Sequence, residues 1–296
     1  MATTMSNPTA AAPSRDAGVN PSAVEMEARV RRARHRRHVL VLTLRIAILV
    51  VLLGAWEITT RLGWVDPFFF AMPSGIAEQI WSWITEGTSQ GPLWEQILVT
   101  LEETMLGFLI GGVGGVIAGV ILGRNKLLAD IFSIYIKIAN SVPRVVLGSV
   151  FIIALGLGMA SKVALAVVMV FFVVFANAFQ GVREADRAMI ANAQILGASP
   201  LQITRHVVLP SAMSWILASL HVSFGFALVG AVVGEFLGAK KGMGLLISTA
   251  QGSFNANGVF AAMIILAVLA LVVEFIITRI ENRLVKWRPQ PLNETH

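Results

Sequence analysis

The sequence predicts an all-α, polytopic membrane protein with six transmembrane helices, and two observations carry that prediction. Of the 296 residues, 56% are apolar and only 14% are charged, whereas charged residues make up about 25% of an average soluble protein. The apolar residues form six segments that lack the alternation of barrel strands. Each segment is long enough for the ~20 residues that cross a bilayer core. This composition excludes a disordered chain, a fibrous protein and an ordinary cytosolic enzyme.

Residues 1–38 are predicted to form a disordered, basic tail in the cytoplasm. Residues 1–28 are rich in small and polar types, so they cannot bury enough apolar surface to fold alone. Six arginines follow between Arg29 and Arg37. A basic cluster directly before a span is retained in the cytoplasm, and we favour this interpretation over a nucleic-acid site. The length of the charged region also argues against a cleavable signal peptide.

The positions of the spans and of the cations predict how the chain crosses a bacterial cytoplasmic membrane. The spans are predicted at about 39–60, 97–123, 131–158, 162–180, 213–237 and 258–280. With both termini in the cytoplasm, the inner segments hold 16 Lys and Arg residues, Arg279 included, and the outer segments hold four. This asymmetry is the one that the positive-inside rule describes. The permease domain is predicted over 39–288, followed by a tail at 289–296.

Two outer segments have distinct patterns. Pro73 and Ser74, followed by IAEQIWSWI, predict the start of a short amphipathic helix on the outer surface. The loop 238–257 carries Gly238, Gly242 and Gly244 but lacks the spacing of a phosphate-binding loop. It is predicted to form a turn and a re-entrant or surface segment.

The second span carries a glycine at every fourth position, which places the glycines on one helix face. Small residues let another backbone approach closely inside a membrane. A moving interface and static close packing both fit this pattern. The predicted packing residues are Gly107, Gly111, Gly115, Gly119 and Gly123.

The third span is predicted to bend or break at Pro143, which lacks a backbone donor. Arg144 would lie about 21 Å from Gly158 if the intervening chain were helical throughout. A cation at that depth faces an aqueous path or a partner, although snorkelling to the inner headgroups also fits. The residues predicted to line the substrate path are Ser141, Pro143, Arg144 and Glu235.

The long inner loop 181–212 predicts a helix, a turn and a second helix. Residues 185–196 are good helix formers, and Gly197 can adopt the left-handed conformation that ends a helix. Ser199 can cap the next helix, with Pro200 at its first position. Pro210 is predicted to mark the start of the fifth span.

This loop resembles the EAA loop of permease subunits of ATP-binding-cassette (ABC) importers. That family's pattern is Glu-Ala-Ala, three residues, Gly, nine residues and Ile-x-Leu-Pro. Here nine residues separate Gly197 from Val207-Val208-Leu209-Pro210, whereas Ala191, Asn192 and Ala193 stand at the Glu-Ala-Ala positions. The resemblance implies that the loop couples to an ATPase through a defined set of residues. They are Ala193, Gly197, Ala198, Ser199, Pro200, Val207, Leu209 and Pro210.

The resemblance extends over 39–288 and is closest to the nitrate, sulfonate and taurine branch. The segments on which this resemblance rests include FFFAMPSGIAEQIW, SVPRVVLGSVFIIALGLG and GEFLGAKKGMGLLI. It implies a MetI-like permease fold, a second permease subunit in a homodimer, two ATPase copies and an extracytoplasmic binding protein. ATP and Mg would be bound by the ATPase, which agrees with the lack of a Walker A motif in this sequence.

The expected function is therefore that of a non-enzymatic permease for a small organic or inorganic anion of the sulfonate, taurine or nitrate type. The chain itself is expected to bind no cofactor, no metal and no nucleic acid, and its surroundings are the lipid bilayer. A permease for an aromatic vitamin precursor is one alternative. An ion-coupled secondary transporter and a membrane enzyme are the others, although HExxH and GxSxG motifs are absent.

Overall fold

A computed structural model describes residues 21–284, and each regular secondary-structure element that it assigns within them is a helix. The predicted tail residues 1–20 and 289–296 lie outside the described residues. Contacts divide the chain into two units, Met1–Thr59 and Thr60–His296. Within 21–284, five helices are long and apolar enough to cross a membrane, and a bent helix pair makes a sixth span. The prediction of an all-α, polytopic membrane protein is confirmed, and the number of spans within these residues is five, or six when the bent pair is counted as one span.

Helix α1 runs over Pro21–Arg61 and includes the first predicted span. The prediction that 21–38 is disordered is therefore wrong, since these residues continue the helix in the N-terminal direction. The reason lies in their composition: this stretch is rich in Ala, Glu, Met and Arg, which are strong helix formers. Pro21 also occupies the first helical position, where proline is tolerated.

The second unit contains the remaining helices. In chain order they are α2 (Pro67–Phe70), α3 (Pro73–Thr85), α4 (Leu93–Arg124), α5 (Lys126–Ser141), α6 (Leu147–Leu155), α7 (Met159–Arg183), α8 (Arg187–Ile195), α9 (Pro200–Ile203), α10 (Leu209–Leu237), α11 (Met243–Gly252) and α12 (Ala256–Leu284). The helix predicted after Pro73 is α3. The segment predicted as a turn and a re-entrant or surface segment contains the short helix α11.

Helix α7 lies between α4 and α10 and packs along both. The five glycines predicted for packing all face α7, because a Cβ atom on each would come within 3 Å of an atom of that helix. At Gly107 the nearest atom would be the Cβ of Ala166, at 2.3 Å, and at Gly123 the Cβ of Val182, at 2.9 Å. The two helices therefore run parallel with their backbones in close approach, as small residues allow.

The third predicted span is two helices and not one rod. Helices α5 and α6 are separated by Val142, Pro143 and a 3₁₀ turn at Arg144–Val146, and the two arms meet at 73°. Proline lacks an N–H and forces the preceding residue out of the helical region, which explains the extended conformation of Val142. Because α6 has only nine residues, it spans about 14 Å. The estimate of about 21 Å between Arg144 and Gly158 assumed one continuous helix, whereas the chain between them consists of a 3₁₀ turn, α6 and the non-helical residues 156–158.

Pro210 lies in the first turn of α10, as predicted, but the chain does not break there. The helix is continuous from Pro200 to Leu237 and widens to a π turn at Thr204–Val208. The ring of Pro210 would clash with the carbonyl of His206 in a regular α-helix. The wider turn immediately before it accommodates the ring without a break, as π turns inside α-helices do.

Candidate functional site

The turn at Gly197 has the geometry that the sequence predicts. Gly197 has φ = +80°, and its N–H donates to the carbonyl of Gln194 at 3.0 Å, while the N–H of Ala198 donates to that of Ala193 at 3.0 Å. These two bonds form a Schellman motif, which satisfies the last carbonyls of α8. No atom beyond the adjacent chain lies within 4 Å of a Cβ built on Gly197. Glycine is therefore required for its backbone conformation and not for space.

The predicted cap at Ser199 is also confirmed. Its hydroxyl accepts the N–H of Gln202 at 3.4 Å, and the side chain of Gln202 accepts the N–H of Ser199 at 2.7 Å. This reciprocal pair is a capping box. Arg124, at the end of α4, donates to the carbonyl of Pro200 at 3.1 Å. The second helix of the loop is thus fixed both locally and by a neighbouring span.

The eight predicted coupling residues are close in space but differ in exposure. Ala193, Ala198, Val207 and Leu209 pack against a buried cluster that includes Val182, Ile203 and Ala212. Gly197, Ser199, Pro200 and Pro210 are exposed. The structure therefore separates residues that support the loop from residues that a partner could contact.

Three apolar residues on this loop were not singled out by the sequence analysis. Ile195, Leu196 and Leu201 are 83%, 85% and 74% exposed. Apolar side chains that cluster on a surface mark interaction sites. Their position on both sides of Gly197 is the sequence signal that could have identified them.

Of the predicted path residues, Ser141, Pro143 and Arg144 lie together at the break between α5 and α6. The guanidinium of the half-buried Arg144 lies over the ring of Phe172 on α7, 5.2 Å from its centroid. Such a cation–π contact orients the guanidinium plane. The hydroxyl of Ser141 donates to the carbonyl of Lys137 at 2.9 Å.

Glu235, the fourth predicted path residue, lies in a different environment, at the C-terminal end of α10. It is fully buried and accepts two hydrogen bonds: one from the hydroxyl of Thr100 at 2.7 Å and one from the N–H of Gly244 at 2.6 Å. The Thr100 hydroxyl oxygen also accepts the N–H of Met243 at 2.8 Å, and the side chain of Gln96 accepts that of Gly242 at 2.8 Å. We call Gln96, Thr100 and Glu235 the polar latch. It satisfies backbone donors at the start of α11, which an isolated helix leaves unpaired.

Two further charged residues are buried near the polar latch. Lys162 is 1% exposed, and its ammonium group donates to the carbonyls of Leu157 and Gly158 at 2.7 and 3.1 Å. Glu103 is 3% exposed, and within the described residues its Oε2 forms no hydrogen bond. The sequence analysis counted Lys162 among the four outer cations, at the first position of the fourth predicted span, and did not select Glu103. The spacing of Gln96, Thr100 and Thr104 on the face that continues into the glycines could have indicated this cluster.

The described helices show no group of three or more His, Cys, Asp or Glu side chains that could hold a metal ion. What they do show is a bundle of apolar spans, a span broken beside an arginine, and a helix–turn–helix with an exposed apolar tip. This combination defines the membrane subunit of a transporter.

Residues 111–286 match the family described as the binding-protein-dependent transport system inner membrane component, and the chain belongs to that family. It is thus a permease subunit of an ABC importer, a multi-pass inner-membrane protein that has no catalytic role. Importers of this kind have an ATPase and a substrate-binding protein as separate partners. The membership decides against a secondary transporter and a membrane enzyme.

Several curated relatives cover most of the chain. The aliphatic sulfonates transport permease SsuC of Bacillus subtilis (strain 168) is 29% identical over 80% of this chain and 85% of its own length. The taurine transport system permease TauC of Escherichia coli (strain K12) is 27% identical over 83% and 90%. The riboflavin transport system permease RibX of Chloroflexus aurantiacus is 29% identical over 81% and 88%.

A solved structure supports the fold. A chain of the MetNI methionine ABC transporter in an inward-facing conformation aligns with a TM-score of 0.53 at 21% identity. The alignment covers 66% of this chain and 94% of that one. The predicted MetI-like permease fold is confirmed.

Proposed function

We propose that this chain is the permease of an importer for small sulfonate-type anions. The observation that carries the proposal is the similarity to SsuC and TauC, whose names state aliphatic sulfonates and taurine, over more than three quarters of the chain. Nitrate belongs to the same class of small anions. We further propose that two copies form a homodimer around the path and that two ATPase copies bind below it.

Arg144 supports an anionic substrate. A guanidinium presents several donors in one plane, which suits the oxygens of a sulfonate or carboxylate. Arg144 stands where the break between α5 and α6 interrupts the apolar surface, and Phe172 holds its guanidinium plane. Of the four residues first predicted to line the path, we therefore retain Ser141, Pro143 and Arg144, and we propose a structural role for Glu235.

We propose that both termini lie in the cytoplasm and that the loop 181–212 contacts the ATPase. The exposed side chains of Ile195, Leu196 and Leu201 would enter an apolar groove on that partner. Gly197 and Ser199 would fix the angle between the two short helices. ATP and Mg would be bound by the ATPase, and this chain would bind no cofactor.

The similarity to RibX, whose name states riboflavin, supports a second candidate, a permease for an aromatic vitamin or its precursor. Its identity to this chain equals that of SsuC, so identity alone does not separate the two substrates. The sulfonate proposal is preferred because Arg144 supplies a cation at the break.

The test is to co-purify the full chain with its ATPase and binding protein and to reconstitute them in liposomes. ATP hydrolysis would be measured with taurine, a longer alkanesulfonate, nitrate and riboflavin. We expect stimulation by a sulfonate only when the binding protein is present. Stimulation by riboflavin alone would establish the alternative, and a chain that co-purifies with no ATPase would contradict the coupling role.

A further inference from the structure

A cavity of about 560 Å³ lies where the ends of α4 and α7 meet the loop that carries α8 and α9. Its volume is in the range of sites that bind small molecules. Three arginines line it, namely Arg124, Arg183 and Arg187. Arg124 and Arg183 are the last residues of two parallel apolar helices, so both lie at one membrane boundary.

The floor of the cavity is apolar. Ala129, Val182, Ile203 and Val208 line it and are each less than 10% exposed. The three arginines are exposed and lie around this floor. The cavity therefore combines a cationic rim with an apolar base, which matches an amphiphile that carries a negative head.

No carboxylate of the described residues forms a salt bridge with any of these arginines. The nearest acids in sequence are engaged elsewhere: Glu184 accepts a hydrogen bond from the side chain of Gln180 at 2.8 Å, and Asp186 caps α8 at the N–H of Ala188, also at 2.8 Å. Neither acid lines the cavity. Neither of these two acids therefore forms an ion pair with the arginines of the rim.

The arginines are also partly oriented. Arg124 donates to the carbonyl of Pro200, and the guanidinium of Arg183 lies 5.4 Å from the ring centroid of Phe179. A guanidinium that is held in place loses less freedom when it binds an oxyanion. Each still has further N–H donors, since a guanidinium carries five.

We propose that this cavity binds the phosphate of an anionic phospholipid from the adjacent leaflet. Basic pockets between transmembrane helices bind such headgroups, and the apolar floor would contact the glycerol and the first methylenes of the acyl chains. The proposed orientation makes this the inner leaflet. Because α8 and α9 form one wall, a bound lipid would brace the loop that is proposed to contact the ATPase.

The test is a lipid titration of the purified full chain in detergent, read by native mass spectrometry. Phosphatidylglycerol is the anionic probe, phosphatidylcholine the zwitterionic comparison and inorganic phosphate the competitor. The variant is Arg183→Gln with Arg187→Gln. The matched control is Arg279→Gln, because Arg279 also stands near the end of an apolar helix and lies 5.1 Å from the ring centroid of Phe275 but does not line the cavity.

We expect the affinity for phosphatidylglycerol to fall about tenfold or more in the double variant, since two of three cations are removed, and to be unchanged in the control. Arg183→Lys with Arg187→Lys should retain part of the affinity, which separates lost charge from a folding defect. Equal affinity in wild type and double variant would overturn the proposal, as would equal affinity for phosphatidylcholine or displacement by millimolar phosphate. If the double variant still bound the lipid but no longer bound the ATPase, the arginines of the rim would be contacts for the ATPase and not for the lipid. The readout contains no transport step, so it does not depend on the transported substrate.

Discussion

The two ends of helix α10 differ in how completely the chain satisfies its own groups. At the C-terminal end, Glu235 is buried and bonded to Thr100 and Gly244, so the backbone donors at the start of α11 are satisfied within the chain. At the N-terminal end, the helix widens to a π turn and continues into a loop with Leu196 and Leu201 exposed. The first end is thus bonded within the chain, whereas the second end exposes the apolar side chains that we propose to contact the ATPase.

The largest expected effect is the loss of the polar latch. Glu235→Ala would leave the N–H of Gly244 without its acceptor, at a cost of about 1–3 kcal/mol for a buried group, and the hydroxyl of Thr100 would keep only the carbonyl of Gln96, at 3.1 Å, as its acceptor. We expect a lower yield of folded protein and a large drop in thermal unfolding temperature in detergent.

Glu274→Ala is the matched control for Glu235→Ala, because Glu274 is an exposed glutamate that pairs with His221 at 3.5 Å. Both glutamates lie in apolar helices, so the control compares a buried carboxylate with an exposed one. If Glu235→Ala were as stable as this control and lost only transport, Glu235 would belong to the substrate path after all.

The second largest effect is expected from a variant in the loop at the N-terminal end of α10. Gly197→Val places a β-branched residue at φ = +80°, which strains the turn by about 1–3 kcal/mol and re-aims α8 and α9. The spans satisfy their backbone bonds internally, so the protein should reach the membrane in normal amounts. It should lose ATPase association or substrate-stimulated ATP hydrolysis, measured in the reconstituted transporter.

Gly252→Val is the control for the turn, because this glycine also has open space around its Cβ position but lacks a positive φ.

Single cysteines add a geometric readout, since the chain has none of its own. A cysteine within 191–201 should crosslink to the ATPase, whereas one at Ser253 should not. Full transport by Gly197→Val, with no crosslink from 191–201, would remove the coupling role.

The contrast between the two ends also shows what the sequence could predict. The Gly197 turn and the Ser199 cap follow from local backbone chemistry, so the sequence was sufficient there. The burial of Lys162 and Glu103 depends on which helices cover them, and hydropathy placed these charges at span ends. Pro210 lies in the first turn of α10, as the local rule predicts, but that rule does not show that the chain continues into α10 from α9 through one widened turn.

The third largest effect is expected at the close contact between α4 and α7. A Cβ on Gly107 would lie 2.3 Å from the Cβ of Ala166, whereas one on Gly114 would lie 3.6 Å from the nearest atom of Phe171. Gly107→Ala should therefore destabilise the protein by about 1–3 kcal/mol through overpacking, and Gly114→Ala should be neutral or slightly stabilising. Thermal unfolding of both variants in detergent measures the difference, and equal unfolding temperatures would show that α4 and α7 can separate without cost.

The smallest effect concerns Arg144, which belongs to neither end of α10 and lies on the broken span. Arg144→Ala should reduce sulfonate transport about tenfold, because a hydrogen bond to a charged group contributes about 1.5–3 kcal/mol, and it should leave assembly with the ATPase intact. Arg144→Lys should restore part of the rate, since charge survives but the planar fork does not.

Lys137→Ala is the matched control, because Lys137 is an exposed cation on the other arm of the break. Equal losses in both variants would mean that the two cations act through the bilayer surface, and unchanged kinetics in Arg144→Ala would place its guanidinium among the headgroups. A loss confined to Arg144 would assign the anion to the break between α5 and α6 and leave the two ends of α10 to stability and coupling.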